Sequence, residues 1–192
     1  STFRFDVTEL VKDENKIEVK VDNSPNDYVY PERADFTFYG GIYRDVYLIE
    51  TDDVHFPLLS NGGPGVKVYT QVEDGVGVLS FSSECNGDEC VLEIGGDEYH
   101  FPVINGVLEG SVRIESVHLW DGKRDPYLYP LTFSLLSKGE IRDQISLKVG
   151  FRTIEIFPDK GFYLNGRSYP LRGVSRHQDR EGKGNAIDKS DM

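Results

Sequence analysis

Val66–Ile114 reads VKVYTQVEDGVGVLSFSSECNGDECVLEIGGDEYHFPVINGVLEGSVRI. Within it, 66–71, 77–84, 91–94, 98–103 and 107–114 alternate apolar with polar side chains and are separated by turn signals. A period of two puts every second side chain on one face, so each run is expected as a strand buried on one side. Leu131–Leu136 and Ile141–Val149 bring the series to about seven, the number in an immunoglobulin-like sandwich. No Cys-Trp-Cys spacing accompanies them, so the architecture is a sandwich but not an antibody-type domain.

Composition agrees with a β protein. Tyr and Phe number 11 each and Gly 20, and no stretch sustains a helical period. With 192 residues there is room for one or two domains and for burial of roughly 70% of the unfolded surface. The net charge of -12 repels phosphate backbones and anionic headgroups, and no basic patch offsets it, so neither nucleic acid nor membrane is expected as a partner. No apolar run approaches a bilayer span, and the first residues lack the pattern of a signal peptide. A soluble protein is expected, cytoplasmic or periplasmic or secreted. Cys85 and Cys90 enclose a turn-like tetrad and could bridge in an oxidising compartment or remain free thiols. With no histidine nearby they make a poor zinc site.

Downstream of the seven runs, Gly161–Asp179 reads GFYLNGRSYPLRGVSRHQD. Phe162 and Leu164 precede Asn165-Gly166, and Tyr169 and Leu171 follow it, the pattern of a tight β-hairpin. Arg172, Arg176, His177, Gln178 and Asp179 then concentrate polar groups as a site does. The tail after His177 is polar and Gly-rich and is expected to be partly disordered. Upstream, Ile17, Val19 and Val21 alternate with Glu18, Lys20 and Asp22 as a half-buried strand should, after a short turn or helical excursion at Asp6–Leu10. In Asp35–Glu50, DFTFYGGIYRDVYLIE, Gly40-Gly41 permits a bulge or a close approach. His55–Gly65, HFPLLSNGGPG, marks a domain boundary by its Pro and Gly content. In HLWDGKRDPYLYPLTFSL, from His118, Trp120 and its tyrosines serve either a sandwich corner, the preferred reading, or a sugar platform.

Several of these stretches resemble glycoside hydrolase family 2, the β-galactosidases in particular. The carriers are FRFDVT with NKIEVKVDN, YGGIYRDVYL, the HLW…YLY corner, GFRTIEI and LNGRSYPLRGVSRHQDREGKG. The resemblance implies an all-β chain: an immunoglobulin-like β-sandwich at 56–152, flanked by the later part of a sugar-binding jelly roll at 1–55 and the first hairpin and strand of a truncated TIM barrel at 153–192. A few strands cut from a two-sheet jelly roll leave an apolar face uncovered, so 1–55 is expected to pack on the next domain or on a second copy of the chain. A homo-oligomeric parent is compatible with that.

The resemblance also implies roles. Asp45 falls on the aspartate that helps bind sodium and the sugar, and His177 on a histidine that contacts the galactosyl hydroxyls. The blander readings are an Arg44 ion pair or a solvated strand residue for Asp45, and an exposed loop histidine for His177. Arg172 and Arg176 are expected to support the strand and loop through carboxylates. Relatives of the β-glucuronidase and β-mannosidase type tend to carry Ser or Pro at the position of Asp45, which favours a β-galactoside as substrate. Glycoside hydrolysis needs two carboxylates. None here lies in a family catalytic motif, and the forty residues after Arg152 are far short of the roughly 250 of a barrel. No catalytic residue and no cofactor are therefore assigned to this stretch, which is expected to be inactive alone. Sodium, and magnesium in the barrel, belong to the full-length enzyme. The alternatives are a non-catalytic carbohydrate-binding module built on Trp120, or a related β-glucuronidase or β-mannosidase.

Overall fold

The computed structural model describes residues 2–28, 38–60 and 62–191. They form two compact units, 1–6 with 50–171 and 7–49 with 172–192. The first holds all the strands among the described residues: β1 (Lys67–Glu73), β2 (Val76–Glu84), β3 (Glu89–Ile94), β4 (Asp97–Ile104), β5 (Val107–Ile114), β6 (Tyr129–Ser137), β7 (Glu140–Val149), β8 (Ile154–Phe157), β9 (Gly161–Leu164) and β10 (Arg167–Ser168). All seven runs read from the alternation are strands, with ends shifted by at most a few residues.

Their hairpins follow from turn chemistry. Asp74-Gly75, Gly95-Gly96, Asn105-Gly106, Lys138-Gly139 and Asn165-Gly166 have positive φ at both positions. This left-handed pair bends a two-residue turn in the sense that matches strand twist, and Gly, Asn and Asp reach it at least strain. The hairpin expected around Asn165-Gly166 is thus β9–β10, with Arg167 opposite Leu164 and Ser168 opposite Tyr163.

Strands β1 to β7 pair in the order β1-β2-β5-β4-β3-β6-β7. Strand β4 joins the two halves: Asp97–Pro102 pairs with β3, while Val103 and Ile104 pair with Leu108 and Val107 of β5. The sheet curls there until its halves face each other. Phe81 of β2 meets Phe133 of β6 edge-on at 5.1 Å, although three strands separate them in the pairing order. Between the halves lie the alternate side chains predicted to point inward, among them Leu79, Phe81, Leu92, Leu108, Leu131, Phe133 and Leu135. Fully burying each such side chain contributes about 1.5–3 kcal/mol. Cys85 and Cys90 belong to this core as free thiols. Burial, reinforced by the neighbouring Cys85, pushes the Cys90 thiol up to about 12.

The β5–β6 corner ties the sandwich to the three-stranded sheet β10-β9-β8. Tyr129, at the start of β6, turns its hydroxyl back to accept the His118 N–H at 2.9 Å, a tyrosine corner of the kind such sandwiches use. Beyond it Asn165 receives the Thr153 N–H on its side-chain oxygen at 3.0 Å and donates Nδ2 to the Trp120 carbonyl at 3.1 Å. Arg167 of β10 donates to the buried Asp121 carboxylate, which Arg124 also approaches at 3.4 Å. Trp120 itself is half-buried, with the Arg152 guanidinium over its ring at 5.3 Å. That shared burial lies between the corner and platform readings.

The Pro/Gly-rich stretch 55–65 is strapped to the sandwich. Phe56 is buried with its N–H on Asp143 Oδ2 at 2.8 Å, and Ser83 Oγ donates to the Gly65 carbonyl at 2.8 Å. Arg4 donates to the carbonyls of Leu58 and Gly63 at 2.7 and 2.8 Å.

The second unit contains a 3-10 turn at Thr8–Leu10 and another at Lys189–Asp191. No helix among the described residues is long and apolar enough to cross a membrane. The half-buried strand expected at 17–21 is not formed. Ile17, Val19 and Val21 are exposed, and no described strand pairs with them. Alternation selects a face only when a neighbouring strand supplies the ladder. Likewise 171–179 lies outside any strand, so the opening barrel strand is not paired among the described residues. The tail, in contrast, is organised: Ile187 is buried, and the Asp191 side chain, 3% exposed, takes Arg180 and Lys183. An ion pair closes what composition alone reads as disordered.

Candidate functional site

Asp45 and His177 lie in the same unit, on the two chain segments that meet within it. The first segment is shaped by its glycines. A Cβ at Gly40 would stand 2.9 Å from Asn23 Cγ, and Gly41 has φ +95°. Asn23 Nδ2 also donates to the Phe38 carbonyl at 3.1 Å, so Gly40-Gly41 serves both close approach and a left-handed bend. The start of this motif, Asp35–Thr37, lies outside the described residues.

Tyr39 and Arg44 each bring the two segments into contact. Tyr39 lays its ring on Gly184, where a Cβ would sit 3.1 Å from the aromatic carbons. Arg44 donates to the Asn185 carbonyl at 3.1 Å and to the Tyr43 carbonyl at 3.0 Å, with its guanidinium 4.8 Å from the centre of the Tyr43 ring. Asn185 is held in place by the closed turn beside it, where Arg180 and Gly184 form a bridge and Lys183 pairs with Asp191 at 2.8 Å. The Lys183 ammonium first, then the Asp188 N–H, hold the Asp191 carboxyl down to about 2.

Asp45 is exposed and makes no ion pair with Arg44. Its partner is Tyr47, whose hydroxyl donates to Oδ2 at 2.7 Å. That hydrogen bond and the carboxylate charge raise the Tyr47 phenol above its ordinary value, because a proton held between them favours the neutral phenol. Oδ1 has no partner among the described residues. A free carboxylate oxygen is a hard donor of the type sodium accepts, so Asp45 fits as one ligand. No group of three or more His, Cys, Asp or Glu among the described residues could hold a metal ion.

His177 is exposed within 171–179. The pairing expected of Arg172 and Arg176 with carboxylates is not formed among the described residues; these arginines lie in a run without strand neighbours to aim them. Two other histidines do have carboxylate partners, which no spacing in the sequence announces: His118 with Asp125 and His100 with Glu89, both at 2.7 Å. His118 also stacks on Tyr127, with ring centres 4.0 Å apart. Tyr47 is the site residue that sequence reasoning missed. The available signal was its spacing, two residues after Asp45, which puts both side chains on one side of an extended run.

Residues 50–152 match the domain described as Glycosyl hydrolases family 2, which is more than half of the chain. A β-glucuronidase of Bacteroides fragilis is 34% identical over 204 residues, covering 96% of this chain and 29% of that protein. A β-galactosidase of Thermoanaerobacter pseudethanolicus is 32% identical over 198 residues, covering 92% of this chain and 25% of the relative. Among solved structures, the FMN-binding β-glucuronidase from Facaelibacterium prausnitzii L2-6 superposes with a TM-score of 0.75 at 37% identity, covering 84% of this chain and 26% of that one. The chain therefore spans less than a third of the relatives it matches.

Proposed function

The chain belongs to the glycosyl hydrolases of family 2, and from that membership we propose that it is the sandwich-rich part of a longer retaining enzyme acting on terminal β-D-galactosides. In that protein 1–55 closes the sugar-binding jelly roll, 56–152 is the immunoglobulin-like domain and 153–192 opens the catalytic barrel. The observation that carries the sugar assignment is Asp45: exposed, unpaired with Arg44, anchored through one oxygen by Tyr47 and without a partner on the other among the described residues. Such a carboxylate accepts a sugar hydroxyl or a sodium ion, and the ion supplies a fixed positive charge against which sugar oxygens are oriented. His177, as neutral imidazole, donates or accepts a further hydroxyl bond. The two glutamates that act as acid and nucleophile lie in the barrel outside this stretch, where magnesium also belongs.

A β-glucuronidase is the second reading, favoured by the 34% and 37% identities to proteins of that name. Parallel hydrolysis of aryl β-D-galactoside and aryl β-D-glucuronide by the longer protein separates the two. Faster turnover of the galactoside is the expected result, and a preference for the glucuronide reverses the assignment. These 192 residues alone are expected to turn over neither substrate, and measurable hydrolysis would overturn the placement of the glutamates.

A further inference from the structure

The Asp45 carboxylate is not a lone charge on a strand. Its neighbour Arg44 faces elsewhere, spent on the Tyr43 and Asn185 carbonyls. Tyr47 gives its single hydroxyl proton to Asp45 Oδ2 at 2.7 Å. Three consequences follow from this geometry. The carboxylate loses rotational freedom, because one oxygen is held. The other oxygen, Oδ1, has no partner among the described residues and keeps its full accepting capacity. The aromatic ring is held beside that carboxylate, on a residue that is 76% exposed.

We infer that Tyr47 is the positioning residue for Asp45, and that the two form one recognition unit for a neutral pyranose. In this unit Oδ1 accepts a ring hydroxyl, and the Tyr47 ring lies along the apolar C–H face of the sugar. The inference rests on the reading above that Asp45 meets the sugar. It adds that Asp45 does so only in the orientation Tyr47 imposes. Preordering of this kind lowers the entropy lost on binding.

The test uses the longer enzyme with an aryl β-galactoside, comparing Asp45→Asn, Tyr47→Phe and the double variant. Tyr47→Phe keeps the ring and removes only the hydroxyl. It should raise KM roughly three- to tenfold, with a smaller change in kcat, as the loss of a hydrogen bond to a charged group predicts. The double variant should be no worse than Asp45→Asn, since the hydroxyl acts through the carboxylate. A silent Tyr47→Phe, or additive effects in the double variant, would overturn this inference while leaving Asp45 in its role. A silent Asp45→Asn would overturn both this inference and the sugar assignment beneath it.

Discussion

Single groups in this molecule are explained by what they face. The Tyr129 hydroxyl accepts the His118 N–H at the corner before β6. Tyr129→Phe leaves that donor without its partner and should lower stability by about 1–3 kcal/mol, read as a fall in the urea midpoint at unchanged slope. Cys90 is buried and its thiol is pushed up to about 12, so almost no thiolate exists near neutrality. It should resist alkylation in the native protein and react on unfolding, as mass spectrometry with and without urea will show. Asp191 is the opposite case. Its folded value of about 2 lies below the ordinary 3.8, so its contribution is complete above the ordinary value and is lost as pH falls towards the folded one. The amide resonances of 188–191 should shift together across that interval, and Asp191→Asn should abolish the transition.

Among elements, what the sequence discloses depends on how local the cause is. The seven sandwich strands are legible because two-residue turns and a period of two are properties of adjacent residues. The same alternation at Ile17, Val19 and Val21 predicts a strand that does not form, because pairing needs a neighbour and alternation does not supply one. The tail 180–191 is misread for a related reason: its order comes from Asp191 reaching back to Arg180 and Lys183, a contact invisible to composition. Asp45 is named through the quoted motif, whereas Tyr47 passes as one more strand aromatic. Asn165 is legible as a turn residue, yet its bond to Trp120 spans 45 positions. Asn165→Ala should therefore loosen β8–β10 from the corner, seen as faster amide exchange across 154–168 while β2, β3 and β6 stay protected.

The whole molecule stands on one core and two units of different kinds. The sandwich core includes Phe133, fully buried and edge-on to Phe81 at 5.1 Å. Phe133→Ala should cost about 3–5 kcal/mol, read from denaturant unfolding. The second unit has exposed apolar side chains at Ile17, Val46 and Leu48 and no strand ladder among its described residues. Its order rests on polar clasps: Asn23 over Gly40, Arg44 on Asn185, and Asp191 with its cations. The fold class was readable because hydrophobic patterning is written along the chain. The composition of the site was less so, since the two contributing segments lie some 140 residues apart.

Asn165 does two jobs with one side chain. Its backbone bends the hairpin, and its amide group grips Thr153 and Trp120. Aspartate would bend the chain nearly as well but has no NH₂ to offer the Trp120 carbonyl. The loop is therefore not a spare part: swapping in another well-behaved turn would preserve its shape and sever its moorings, so local geometry and attachment must vary together.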